Sequence, residues 1–278
     1  MLRTESVTEQ ETKRGIILQT QSLTKRFGDL TAVADLTISI GRGEMFGLVG
    51  PNGAGKTTVI KMLTTLLPPT AGSASVDGHS ITSDAREVRR VIGYVPQLLS
   101  ADGAITGYEN LLIMSKLYDI PRRERKERIS DVLEIMGISE FSGKLVRTYS
   151  GGMIRRLEIA QAMLHRPKVL FLDEPTVGLD PVARKAVWQH IQQLRSEYGT
   201  TIFLTTHYMD EADQLCERLA IMHLGRVAAI GSPTDLKAVV GHGATLDDVF
   251  AYYSGAEVDS TGGYRETTRV RRVARRIG

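Results

Sequence analysis

Eight consecutive residues, Gly50-Pro51-Asn52-Gly53-Ala54-Gly55-Lys56-Thr57, constrain this chain more than anything else in it. They satisfy the pattern G-x-x-x-x-G-K-[ST], a loop whose backbone N–H groups turn inward to cradle phosphate oxygens. The glycines let the main chain wrap close to an anion. Met45–Val49 before the loop reads as a buried strand, and Lys56 to Leu66 after it as a helix that Pro68-Pro69 ends. The helix start adds its dipole and unpaired N–H groups to the attraction for negative charge. Lys56 brings a full positive charge to the β and γ phosphates of a nucleotide, and Thr57 offers its hydroxyl to Mg2+.

A second acid-bearing feature completes such a site. The run Val169-Leu170-Phe171-Leu172 is apolar throughout and stops on Asp173-Glu174-Pro175. An uninterrupted apolar run suits a strand buried on both faces of a parallel sheet. A carboxylate at its end is costly unless it meets a cation or hydrogen-bond donors, so Asp173 suits the shell of a Mg2+ ion. Glu174 is then placed to polarise or deprotonate an attacking water. Alone, the pair could be a helix cap before Pro175; the phosphate loop in the same chain favours the chemical role.

Around these motifs, short β-type runs such as Ile16–Gln19 and Leu36–Ile40 flank a turn at Phe27–Asp29, with further strands at Ser73–Val76 and Val91–Val95. From about Thr106 to His165 the periodicity is helical, over Glu109–Tyr118, Arg122–Met136 and a stretch after Gly152. A helix Val182–Glu197, a strand Thr201–Thr205, a helix from Met209 and a hairpin Ala220–Ile230 follow. Strands alternating with helices predict an α/β domain with ligands at the strand C-termini, interrupted by a helical lobe. That lobe opens its third helix with Tyr149-Ser150-Gly151-Gly152-Met153. Ser-Gly-Gly at a helix start builds a second anion site from backbone N–H groups and a hydroxyl, although a capped helix after a flexible turn has the same sequence.

The order and spacing of these three motifs resemble the ABC ATPase family over about residues 16 to 255. The resemblance implies a P-loop NTPase of ABC type: a mixed sheet core, an N-terminal antiparallel β-subdomain and an inserted α-helical subdomain at about 100–165. It implies ATP and Mg2+ as cofactors and a head-to-tail dimer in which Ser150, Gly151 and Gly152 of one subunit close on ATP held by the partner's phosphate loop. Thr58 falls beside Thr57 among the nucleotide-contacting residues. Phe27 falls where the family stacks an aromatic on adenine; Tyr is commoner there, and Phe keeps the stacking face. Gln97 matches the glutamine that reaches Mg2+ and reports nucleotide state to the membrane subunit. Asp180, in Gly178-Leu179-Asp180-Pro181, lies in the loop that links the two ATP sites, and His207 matches the histidine that contacts the γ-phosphate. Without the family context, Gln97 and His207 would read as ordinary polar surface residues.

Tyr149 and Met153 depart from the commoner Leu and Gln of the signature. Their wording, with Arg155-Arg156-Leu157-Glu158-Ile159-Ala160 behind it and Ala244-Thr245-Leu246-Asp247-Asp248-Val249-Phe250 near the end, is similar to the daunorubicin/doxorubicin-resistance type of exporter. The expected function is therefore an ATP-hydrolysing subunit that powers export of a drug-like or lipid-like substrate through a separate membrane permease. Locally, Thr245 also makes a good helix N-cap with acids in its first turn.

Composition narrows the alternatives. No apolar run reaches the ~18 residues of a membrane span, and Met1–Arg14 lacks the apolar stretch of a secretory signal, so cytosolic residence is expected, which the resemblance places at the cytoplasmic face of the cell membrane. The single Cys216 excludes an internal disulfide or Cys-rich zinc site and reads as a core thiol. A net charge of +3 gives no argument for nucleic acid as a partner. Ribosome-acting ABC ATPases usually carry two cassettes, and DNA-repair types carry coiled coils or zinc modules; both fit this sequence poorly. A soluble regulatory ATPase, or a subunit energising import or ion export, stays open. Residues 1–14 are expected to be a flexible N-terminus and 15–255 the ATPase domain. The tail 256–278 is rich in Gly, Ser, Thr and Arg, and reads either as a disordered basic segment or as an amphipathic helix for an anionic membrane surface.

Overall fold

The computed structural model describes residues 15–254. The N-terminal segment and the Arg-rich tail with its two alternatives lie outside the described residues. The chain opens with β1 (Ile16–Phe27), β2 (Leu30–Leu36), β3 (Ser39–Gly41) and β4 (Met45–Val49), then α1 (Lys56–Leu63), β5 (Ala71–Val76), β6 (His79–Ser80), α2 (Ala85–Val91) and β7 (Ile92–Val95). Three helices follow, α3 (Gly107–Leu117), α4 (Arg122–Ile135) and α5 (Gly151–Met163). The chain then returns through β8 (Val169–Asp173), α6 (Pro181–Tyr198), β9 (Thr201–Thr206), α7 (Met209–Leu215), β10 (Arg218–His223), β11 (Arg226–Gly231), α8 (Pro233–Val240) and α9 (Leu246–Ser254).

Two sheets organise these elements. β1 pairs antiparallel with β2, β3 and β5, giving the expected N-terminal β-subdomain. The other sheet runs in the order β11-β10-β4-β9-β8-β7, parallel except for the β10–β11 hairpin. Its central strands β4, β8 and β9 are buried at every residue, so both faces are covered, as their continuous apolar runs require. Successive side chains alternate between two cores. Met45, Val49, Leu170, Leu172, Ile202 and Leu204 pack with the helical lobe, whereas Phe46, Leu48, Val169, Phe171 and Phe203 pack with the β-subdomain and α1. Each such side chain contributes about 1.5–3 kcal/mol by leaving water.

Local chemistry fixes the helix starts. Thr106 and Glu109 form a reciprocal capping box before α3, and Asp180 caps α6 with Pro181 in its first turn. Thr245 caps α9: it accepts from the Asp248 N–H, while its own N–H and hydroxyl donate to the Asp248 carboxylate. The N-cap reading of Thr245 therefore holds. Three expected boundaries need correction. Leu36–Ile40 is divided between β2 and β3, because β1 pairs with both in turn. The helix expected over Lys56–Leu66 ends at Leu63, where Thr65 turns to a φ of 64° well before the prolines. Ile16–Gln19 belongs to a longer strand that continues to Phe27 across an irregularity at Ser22, whose φ is 49°.

Candidate functional site

Strand order decides which loops meet. β4, β9, β8 and β7 are parallel neighbours, so the segments leaving their C-terminal ends lie side by side: the 50–57 loop, His207, Asp173-Glu174 and Gln97. At two of its glycines the loop has no room for a side chain. A Cβ at Gly50 would lie 2.2 Å from the Met222 carbonyl oxygen, and one at Gly55 would lie 2.4 Å from that of Ala32. Gly55, at φ 105°, is also the N-cap of α1 and supplies no side-chain hydrogen bond to it. The loop is pinned from outside by the Gly50 N–H donating to the Thr206 carbonyl at 3.2 Å and the Gly225 N–H donating to Ala54 at 3.1 Å. Pro51, Asn52 and Gly53 face outward to varying degrees, Ala54 and Lys56 are buried, and Thr58 is half-buried.

Inside the loop, the Lys56 ammonium donates to the carbonyls of Gly50 at 2.8 Å and Pro51 at 3.1 Å, and lies 3.0 Å from Glu174 Oε1. Glu174 Oε2 is shared by Gln97 Nε2 and His207 Nδ1, each at 3.2 Å. Thr57 Oγ1 donates to Asp173 Oδ1 at 3.2 Å, and Thr205 Oγ1 donates to the same oxygen at 2.6 Å. Thus one carboxylate gathers the lysine, glutamine and histidine, and the other gathers the two threonines. The Glu174 backbone N–H lies 3.1 Å from both the carbonyl and the hydroxyl of Thr205. Glu174 itself stands at φ 49°, a left-handed conformation uncommon for a side chain of its size. Burial, with the charge of Asp173 second, pushes the nearby Tyr94 hydroxyl up to about 12.

The residues present fit a divalent cation. Asp173 Oδ2 is buried without a hydrogen-bond partner, an arrangement that costs free energy unless a positive charge meets it. Thr57 and Gln97 flank the two carboxylates with neutral oxygen-bearing groups of the kind Mg2+ accepts.

Other expected residues stand apart from this cluster. Phe27, 48% exposed, ends β1 at the hairpin whose second strand backs Gly55. Ser150 and Gly151 are exposed at the start of α5, where the Ser150 hydroxyl accepts from the Met153 N–H at 3.3 Å. Gly152 is buried, and a Cβ there would meet that of Ala183 at 3.0 Å. Asp180 accepts from the N–H groups of Val182 and Ala183 at 2.9 Å each. Gly151 and Gly152 of the signature thus lie against Leu179 and Ala183, the neighbours of Asp180 at the start of α6.

Several participants were not anticipated. Thr205 holds both site acids; its signal was a hydroxyl at the end of a buried strand beside that of Asp173. Arg155 and Glu158 of α5, only 2% and 3% exposed, bind the backbone around Gln97. Glu211 of α7 is fully buried and accepts from Thr176 Oγ1 and Trp188 Nε1, each at 2.8 Å. Burial pushes the Glu211 carboxyl above the usual carboxylate range, opposed by the side chains of Thr206, Thr176 and Trp188 and by the Arg184 charge. Cys216 is buried, as a core thiol should be, and burial pushes its titration well up.

A family model described as ABC transporter matches residues 33–177. The linearmycin resistance ATP-binding protein LnrL of Bacillus subtilis (strain 168) is 40% identical over 81% of this chain and 72% of its own length. The daunorubicin/doxorubicin resistance ATP-binding protein DrrA of Streptomyces peucetius is 44% identical over 81% of this chain and 68% of its own length. A solved ATP-binding subunit of an ABC transporter superposes with a TM-score of 0.76 at 29% identity, covering 85% of this chain and 99% of that one.

Proposed function

The chain belongs to the ABC transporter family, and from that premise we propose that it binds and hydrolyses ATP to power export of a drug-like or lipid-like substrate through a separate membrane permease. The observation that carries the reading is the convergence of Lys56, Thr57, Gln97 and His207, from segments leaving neighbouring parallel strands, on the adjacent acids Asp173 and Glu174. The resistance relatives favour a drug-like cargo, which the permease selects.

In this proposal the 50–57 loop and the α1 N-terminus bind the ATP phosphates, Lys56 neutralises β and γ charge, and Thr58 supports the same stretch. Phe27 stacks on the base. Thr57, Gln97 and Asp173 would hold Mg2+, which supplies charge neutralisation at the phosphates when bound. Glu174 takes the proton of the attacking water, and His207 steadies the γ-phosphate end. Ser150, Gly151 and Gly152 close on ATP in a second subunit of a head-to-tail homodimer, with Asp180 at the junction. Residues 15–255 form the ATPase domain, with the lobe at about 100–165 inserted in it. Among the described residues no helix is long and apolar enough to cross a membrane. The proposed location is peripheral, at the cytoplasmic face, through the permease.

Purification of the tagged chain from native membranes in mild detergent tests this. A stoichiometric multi-spanning companion supports the export reading. A lone ATPase under several detergents would overturn it in favour of a soluble regulatory role.

A further inference from the structure

Helix α5 carries an ion pair that an amphipathic pattern does not call for. Arg155 Nη1 lies 3.1 Å from Glu158 Oε2, both side chains 2% exposed. Arg155 also donates through Nη1 to the Pro96 carbonyl and through Nη2 to the Gln97 carbonyl, each at 2.7 Å. Glu158 Oε1 accepts from the Ser100 N–H, from Ser100 Oγ at 3.2 Å and from the Ala101 N–H at 3.3 Å. A guanidinium thus meets backbone carbonyls on the near side of the loop, while a carboxylate meets backbone N–H groups on the far side. Charge-assisted bonds of this kind are about twice as strong as neutral ones. Burial lowers the Arg155 titration, opposed by the charges of Glu158 and Asp173. The segment between, Gln97 to Ser100, is otherwise exposed, and Gln97 donates to Glu174.

We propose that Arg155 and Glu158 are positioning residues that clamp the 96–101 loop to the helix begun by Ser150, so that a shift of that helix is passed to Gln97 and through it to Glu174. The proposal rests on the ATPase reading and deepens it. The two residues act through the loop backbone. The helix bears both charged side chains, and their buried bonds to the loop backbone carry a movement of α5 to Gln97.

A double-mutant cycle between Arg155 and Gln97 in the full chain tests this, with amide hydrogen exchange followed alongside. Arg155→Met removes both carbonyl donors at similar length. Its expected effect is at least about a tenfold fall in turnover at saturating Mg-ATP with KM within about twofold, and no further fall in a Gln97→Ala background. Arg155→Lys, which keeps a charged donor, should recover part of the loss. Unchanged turnover, or the same factor lost in both backgrounds, would overturn the proposal. Because Arg155→Met leaves a buried carboxylate unpaired, Glu158→Gln is the second variant. It should speed exchange at the Ser100 and Ala101 amides about tenfold while leaving β4 protected. Unaltered exchange at those two amides also sinks the clamp. Lys56→Ala serves as the control for the wider reading: if wild type hydrolyses ATP no faster than this variant, the activity does not come from the phosphate loop and the ATPase assignment falls, while the exchange result still decides whether α5 holds the loop.

Discussion

The starts of α1 and α5 are both glycine-rich helix N-termini, yet the chain treats them in opposite ways. At α1 the N-cap is Gly55, which offers no side-chain acceptor, and polar groups from three other strand ends converge just outside it. At α5 the N-cap Ser150 satisfies its own helix through the Met153 N–H, and the two glycines after it lie against Leu179 and Ala183. One terminus has its chemistry assembled within the chain, whereas the other presents a capped, exposed face. A half-site of each kind is what the proposed head-to-tail pairing needs, since each face lacks what the other has.

The largest effect that could break this contrast is at the assembled centre. Glu174→Gln should lower ATP turnover by about 10²–10⁴-fold while leaving ATP affinity in place, as equilibrium binding and steady-state kinetics would show. Turnover at the wild-type rate would move the base elsewhere. Next, Ser150→Ala should lower turnover of the dimeric transporter by about 10²-fold, the loss expected from removing one donor to transition-state charge. ATP affinity of the isolated chain should not change. If affinity in the isolated chain fell as well, the two termini would not be separate half-sites.

A smaller effect sharpens the point. Thr245→Ala removes a helix cap of the same chemical type far from the phosphate loop. It should cost about 1 kcal/mol of stability, read in urea denaturation, without altering turnover. Capping alone would then be excluded as the reason for the Ser150 result. The smallest effect concerns the link between the regions. Glu211 joins Thr176, ahead of Asp180, to Trp188 on α6. Its raised carboxyl titration means that the folded chain holds a proton that the unfolded chain has already released. Wild-type stability should therefore decline as pH rises from the unfolded pKa through the folded one. Glu211→Gln should flatten that slope in thermal melts at a series of pH values.

Most of the centre was legible because its motifs are local: the glycines, Lys56 and the Asp173-Glu174 pair sit on turns whose geometry a few neighbouring residues dictate. Buried strands were legible for the same reason, since Val169–Leu172 and Thr201–Thr205 are apolar or β-branched at almost every position. The helix α2 was not, because Val88 is its only buried residue and its apolar face, Ala85, Val88 and Val91, is too short to show a period. The extent of β1 was hidden by the left-handed turn at Ser22, which shifts its pairing register. Arg155, Glu158 and Glu211 escaped for a different reason. Charged side chains on helices read as solvated faces, and only tertiary packing turns them inward onto backbone polar groups.

The backbone at Glu174 has a consequence for how this chain changes over generations. A left-handed φ of 49° costs a residue with a Cβ about 1–2 kcal/mol that glycine would not incur. Position 174 is therefore one where the fold and the reaction ask for different amino acids. A library of variants screened for heat tolerance alone should gather glycine or asparagine there and fall silent as an ATPase. Screening for turnover at the same time should keep glutamate, and push the compensating stability to positions distant from the strand ends.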